Sequence, residues 1–241
     1  MTGSYVVLGA AGGIGAEVCR FLLEKGARVH AAVHSLSNID SISEYDFESI
    51  REVDVEDWES VETYTDEVFA SDEAVSGMVL CVGSITIKPA HLVRRGEFDQ
   101  SVSKNLASAF AVVRSGAKRL KTGGSIVLMA SAAAQIGLPN HELIGAVKAG
   151  VVSLGKNAAA TYAKKGVRVN CVAPGLVRTP LSERITNNPA SLKFSEAMHP
   201  IGRIGEPRDV ASAVCWLLDK ENSWVTGECI SVDGGLATLK Q

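Results

Sequence analysis

Two stretches of the chain hold residues whose types and spacing could do chemistry. The first is GAAGGIG, Gly9 to Gly15, which follows the β-rich apolar run Tyr5 to Leu8 and opens into helical spacing through Ala16, Cys19, Leu22 and Leu23. Glycines allow a tight turn and let backbone come close to a phosphate, and a helix N-terminus offers free N–H groups at the positive end of its dipole. Strand, glycine turn and helix together are the context in which such a motif points to a dinucleotide. A close-packed corner without ligand is the plain alternative. The second stretch is Ser125 to Val151, SIVLMASAAAQIGLPNHELIGAVKAGV, which joins a buried-strand run to a small-residue turn at Ser131, a Pro-containing loop and a helix opening with Lys148. His141 is the side chain there able to donate a proton near neutral pH, although a histidine beside Glu142 also fits a surface pair.

The elements that must position these residues alternate along the chain. Arg28 to Val33 reads as a second strand ending at His34-Ser35. An acidic residue at that point would bind the adenosine ribose and repel a 2′-phosphate. None is present, and His34 or Ser35 could bond that phosphate, so the pattern tips toward NADP(H) over NAD(H). Residues 36–48 show no helical stripe, which predicts an abbreviated second crossover. Ile50 to Val55 is expected as a third strand ending in Asp54-Val55, Trp58 to Phe69 as a helix and Val75 to Val82 as a fourth strand closed by Gly83. Phe98 to Leu120 has the period of one long helix, with Asn105 in its interior. A fifth strand (Ser125 to Met129), a helix (Ala146 to Ala163) and a sixth strand (Val167 to Val172) follow. Residues 176–209 are polar and weakly periodic, as lids and binding segments often are, and a substrate lid is expected at 181–207 with Phe194, Met198 and His199 as candidate lining. Helix Val210 to Leu218 and strand Cys229 to Val232 complete seven strands alternating with helices. That order predicts one α/β domain over residues 1–241, a doubly wound, Rossmann-like parallel sheet.

Composition excludes several classes. A chain of 241 residues with 46% apolar content can bury one large core, and a net charge of −3 with scattered basic residues gives no footprint for nucleic acid or an anionic membrane. No apolar run reaches the roughly 18 residues of a membrane span. The five cysteines form no CxxC pair and no metal-ligand spacing, so no metal site is expected and reduced core thiols of a cytoplasmic protein are.

The order of motifs resembles the short-chain dehydrogenase/reductase family over essentially the whole chain, most of all its 3-oxoacyl-carrier-protein reductase-like members. GAAGGIG, Asp54-Val55, Asn105, Ser131 with Lys148, RVNCVAPGLVRTPL at 168–181, PIGRIGEPRDVASAV and VTGECISVDGG carry the likeness. The resemblance implies that Gly9, Gly13, Ile14 and Gly15 wrap a pyrophosphate, that Asp54 and Val55 meet adenine, and that Gly83 belongs to the cofactor wall. It implies that Lys148 bonds the nicotinamide ribose and that Pro174, Gly175, Val177 and Thr179 cradle the carboxamide. Ser131 would hold the substrate oxygen and Asn105 would support a water path to Lys148. Small-molecule substrates and a homo-oligomer, dimer or tetramer, are implied as well.

The chain departs from that pattern in three places. Leu8 stands where the family usually has Thr, and Leu80-Cys81-Val82-Gly83 where it usually has Asn-Asn-Ala-Gly. Most consequentially, Ile144 occupies the place of the tyrosine acid four residues before the lysine. General acid catalysis contributes about 10²–10⁴-fold, and an aliphatic side chain supplies none of it. Tyr5, Tyr45, Tyr64 and Tyr162 lie in distant segments, which leaves His141, water or the substrate as proton sources. The expectation is an NAD(P)(H)-dependent reductase of a carbonyl or conjugated enone with altered proton delivery. The alternative is a catalytically silent subunit paired with an active relative in a hetero-oligomer.

Overall fold

Successive side chains of a strand point to opposite faces of its sheet, so a strand that is apolar throughout must be covered on both sides. In the computed structural model, which describes all residues except Thr2, Asn38 and Gln241, the first strand does this. Val6 and Leu8 enter one core and Tyr5 and Val7 the other. The strands are β1 (Ser4–Leu8), β2 (Arg28–Val33), β3 (Ser49–Glu52), β4 (Val75–Leu80), β5 (Gly124–Met129), β6 (Val167–Pro174) and β7 (Cys229–Val232). They pair in parallel in the order β3-β2-β1-β4-β5-β6-β7. The helices are α1 (Gly13–Glu24), α2 (Trp58–Ser71), α3 (Arg95–Val102), α4 (Ser108–Arg119), α5 (Glu142–Tyr162), α6 (Glu183–Thr186), α7 (Pro189–Met198) and α8 (Pro207–Leu218). Apolar residues of α2, α4 and α5 fill one core and those of α1 and α8 the other. Leu128, next to the last residue of β5, is fully buried, and its truncation to Ala would cost about 2–5 kcal/mol.

Strand order turns back between β1 and β4, and in such sheets ligands sit beyond the carboxyl ends of the strands at that point. Register brings the loops there level. Leu8 pairs with Leu80 and Leu80 with Leu128, so Gly9, Cys81 and the chain after Met129 leave the sheet side by side.

Several expected boundaries move, each for a local reason. The third strand ends at Glu52 rather than Val55. Beyond it Asp54 Oδ1 accepts the Glu56 N–H at 2.9 Å and the Asp54 N–H donates to Ser60 Oγ at 3.2 Å, turning the chain into α2. The single long helix expected from Phe98 begins at Arg95 and is interrupted by a π turn over Ser103–Ala107. Such turns insert one residue per loop of helix and gather at functional sites; this one is centred on Asn105. The α5 helix starts at Glu142 rather than Ala146, which places Ile144 and Lys148 on one face, one turn apart. Residues 176–209 are not an irregular loop, because they contain α6 and α7. The latter opens with Pro189, and Asn188 caps it by accepting the Ser191 N–H at 3.0 Å. The abbreviated crossover at 36–48 is a single 3₁₀ turn, Asp40–Ile42.

Candidate active site

The glycine turn is shaped by backbone contact. Gly9 has φ +85°, a left-handed conformation that favours glycine, and a Cβ on Gly15 would lie 2.1 Å from the Gly9 carbonyl oxygen. The α1 helix starts at Gly13 with no side-chain cap and no acid in its first turn. Its leading N–H groups therefore face a groove of about 310 Å³ lined by Gly9, Gly12, Gly13, Ile14, His34 and Thr179, among others. Glycine backbone, open N–H groups and the absence of a competing carboxylate in the first turn of the helix suit a pyrophosphate.

The groove continues into a smaller cleft of about 140 Å³, with which it shares Ile14, Cys81, Val82, Gly83, Thr179 and Leu181. Ser131, Ile144, Lys148, Pro174, Gly175 and Val177 complete the functional part of its wall. Lys148 is 5% exposed, and its Nζ donates to the Met129 carbonyl at 2.7 Å. Burial disfavours the charged ammonium and pulls its pKa down to about 8, against a small opposing influence from Cys171. Asn105 is buried and doubly tied to the neighbouring loop. Its Nδ2 donates to Ser84 Oγ at 2.8 Å and to the Ser101 carbonyl at 2.9 Å, and its Oδ1 accepts the Ser84 N–H at 3.0 Å. A Cβ on Gly83 would stand 3.0 Å from Asn105 Oδ1 and 3.4 Å from Lys148 Nζ. The bare glycine keeps open the space between amide oxygen and ammonium. Ser131 Oγ accepts the Ala133 N–H at 3.2 Å, which turns the hydroxyl's position away from the strand and into the cleft wall.

Not every residue singled out in the sequence arrives here. His141 caps the start of α5, where its Nδ1 donates to the Pro139 carbonyl at 2.7 Å, and it is not part of the cleft wall. Asp54 is occupied in the turn before α2 and Val55 in the core, and neither lines the groove. Phe194 is 66% exposed on α7, away from the cleft. His199 is buried, but it joins α7 to the chain that leaves β6. Its Nδ1 donates to the Ser195 carbonyl at 2.6 Å, which leaves Nε2 to accept the Leu176 N–H at 3.2 Å.

Two residues escaped sequence reasoning. Ser84 holds Asn105, and no motif marks it. Glu52, the register partner of Val33, accepts the Leu36 N–H at 3.1 Å through Oε2. It thus brings a carboxylate from β3 to the chain just beyond the end of β2, although it does not itself line the groove. Among the described residues no Lys or Arg lines the groove beside it. Pairing register was the signal that could have revealed it.

Comparison with known proteins gives the family and the fold. A family model described as enoyl-(acyl carrier protein) reductase matches residues 9–237, and the chain belongs to the short-chain dehydrogenase/reductase family. A 2,5-dichloro-2,5-cyclohexadiene-1,4-diol dehydrogenase of Sphingobium indicum is 43% identical over 152 residues, 59% of this chain and 58% of that relative, so the match spans little more than half of that enzyme. The 3-oxoacyl-[acyl-carrier-protein] reductase FabG of Vibrio harveyi is 32% identical over 96% of both chains. Among solved structures, the ligand-free aldohexose dehydrogenase of Thermoplasma acidophilum is 27% identical with a TM-score of 0.89, covering 99% of this chain and 95% of that one. The fold of ElxO with NADP bound superposes at a TM-score of 0.92 with 24% identity, over 99% of this chain and all of the other. No helix among the described residues is long and apolar enough to cross a membrane. No group of three or more His, Cys, Asp or Glu among them could hold a metal ion.

Proposed function

We propose that the protein is a nicotinamide-dinucleotide-dependent oxidoreductase that reduces a carbonyl or conjugated enone or enoyl group, at a site where Ile144 stands in the tyrosine's position. The observation that carries this reading is the continuity of groove and cleft, with Lys148 buried beside their shared wall. A dinucleotide lying along the glycine turn supplies hydride at its nicotinamide end. Backbone at Gly9, Gly13, Ile14 and Gly15 holds the pyrophosphate, Lys148 bonds the ribose, and Pro174, Gly175, Val177 and Thr179 orient the carboxamide. Ser131 holds the substrate oxygen. Ile85, Met129, Ile144 and Leu181 give the cleft apolar walls, which suits a small, weakly polar acceptor. Conjugate reduction is favoured, since protonation of an enolate is less demanding of a placed acid.

Glu52 bears on the cofactor. The sequence tipped toward NADP(H) because no acid ends β2. The Glu52 carboxylate of β3, bonded to the Leu36 N–H two residues past His34, would repel a 2′-phosphate brought to that side of the groove and so tilt the preference to NAD(H). The exposed side of α5 presents the small residues Ala146, Ala149, Ser153 and Ala160 together with Lys156 and Asn157, a surface open to assembly as a dimer or tetramer. The five cysteines are free and fit a reducing, cytoplasmic setting.

The test is binding of NADH and NADPH, followed by turnover on a ketone and enone panel by the native protein, Ile144→Tyr and His141→Ala. Expected are cofactor binding, enone reduction, roughly 10²–10⁴-fold faster ketone reduction in Ile144→Tyr, and no change in His141→Ala. Tight cofactor binding with no turnover on any substrate would replace this reading with the second one, a silent subunit, for which the aliphatic Ile144 is the favouring observation. Co-purification with an active relative would then be expected.

A further inference from the structure

Reduction at this site needs a proton as well as a hydride, and the cleft wall narrows its source. Among the described residues lining it there is no Tyr, His, Asp or Glu. The two side chains there that titrate are Cys81 and Lys148. Burial pushes the Cys81 thiol up to about 12, with a small contribution from Cys215, so it is a poor donor at neutral pH. Lys148 sits one helical turn beyond Ile144 on the same face of α5, and its ammonium has three N–H bonds, of which one goes to the Met129 carbonyl. The remaining two have room beside Gly83, where a Cβ would come within 3.4 Å of Nζ and 3.0 Å of Asn105 Oδ1 and its absence leaves space.

Resting on the oxidoreductase reading above, we propose that Lys148 is itself the general acid, giving its proton to the substrate oxygen held at Ser131 across at most one water beside Ile144. With an enone the β-carbon gains the hydride, the C=C π pair shifts into the bond between the α-carbon and the carbonyl carbon, and the C=O π pair moves to oxygen. Protonation there gives an enol that tautomerises to the ketone. With a ketone the carbonyl carbon itself gains the hydride and the C=O π pair moves to oxygen. One Nζ–H bond breaks, an O–H bond forms, and the electron pair of the broken bond stays on Nζ as a neutral amine. That amine regains its proton from solvent through the gap between Gly83, Asn105 Oδ1 and Ser84 Oγ. The missing tyrosine thus changes which group donates rather than removing donation.

The surroundings permit this. The titratable group facing Lys148 from β6 is Cys171, whose thiol burial raises to about 12, and from the end of β4 it is Cys81; Asn105 and Ser84 are neutral. With no carboxylate in the wall, nothing clamps the ammonium in its charged form, and burial brings its pKa close to neutrality, where a general acid works best.

The experiment joins two readouts on the full-length protein. The first is an NMR titration of protein labelled with [13Cε]lysine, with Lys148→Met assigning the resonance. The second is the pH dependence of kcat/KM for a reducible enone from pH 6 to 10. Expected are one lysine resonance titrating near pH 8 and a rate that falls about tenfold per pH unit above the same midpoint, with a limb displaced in Ile144→Tyr. A lysine titrating above pH 10, or a rate flat to pH 10 in an active enzyme, overturns Lys148 as the acid and leaves the oxidoreductase reading standing. Cofactor bound without turnover at any pH overturns both.

Discussion

Replacing Lys148 with Met asks how strongly the fold resists holding an ammonium at this depth. The pKa of Lys148 lies at about 8 in the native protein against 10.5 for a free lysine, and each pH unit of such a difference is worth about 1.4 kcal/mol. The product is about 3 kcal/mol. The sign follows from proton counting. Below pH 8 both states hold the proton and the native state bears the whole penalty of burying charge. Between pH 8 and 10.5 the unfolded state keeps a proton that the native state has shed, so stability rises with pH; above 10.5 the penalty is gone. Lys148→Met carries no charge and has no such dependence. Thermal melts or urea titrations of both proteins, without cofactor, from pH 7 to 10.5 should therefore show the variant's relative advantage shrinking by about 3 kcal/mol. For a chain of this size that is roughly 6–12 °C in Tm. Loss of the bond to the Met129 carbonyl adds an offset that does not vary with pH. Curves that stay parallel across the window would refute the buried, desolvated ammonium, and with it the reason why Lys148 could act as an acid near neutrality.

Other expectations follow from single contacts. Gly15→Ala puts a methyl group against the Gly9 carbonyl and should cost about 1–3 kcal/mol of stability and weaken dinucleotide binding at least about tenfold, measured by melting and by fluorescence titration. Glu52→Gln removes the carboxylate at the Leu36 N–H and should raise the NADPH to NADH affinity ratio by about 5–10-fold; an unchanged ratio would mean that the 2′-phosphate does not approach β3. His199→Leu strands the Leu176 N–H and the Ser195 carbonyl at about 1–3 kcal/mol each. His199→Gln should recover part of the loss because its amide can both accept and donate, and comparing KM for the cofactor in the two variants tells a loosened cradle from simple destabilisation.

Much of this was legible in the chain itself. Buried strands need apolar residues on both faces, long helices a 3.6-residue stripe, and a tight turn glycine, so the seven strands, the long helices between them and the Gly9–Gly15 turn show as pattern, while the short α6 and α7 do not. Ile144 and Lys148 fall four apart, and once α5 was known to begin at Glu142 their shared face followed from helix geometry. The limit of such reading lies where a position depends on a partner far away in sequence. The carboxylate at the Leu36 N–H, just beyond the end of β2, is Glu52 of β3, brought there by strand register; scanning the end of β2 finds nothing. The proton-donor candidate His141 is adjacent to the cleft in sequence and outside it in space, because the first turn of α5 directs its ring back to Pro139. The π turn around Asn105 depends on the loop carrying Ser84, and the bond from His199 to Leu176 on the packing of α7 against the end of β6. Sequence alone thus determined the strand-and-helix order, the glycine turn and the placing of Ile144 four residues before Lys148, since each is a local matter of residue type and period. Tertiary structure alone decided which ionisable group is left in the cleft and how far burial moves its pKa, because desolvation depends on every element packed around Lys148 at once.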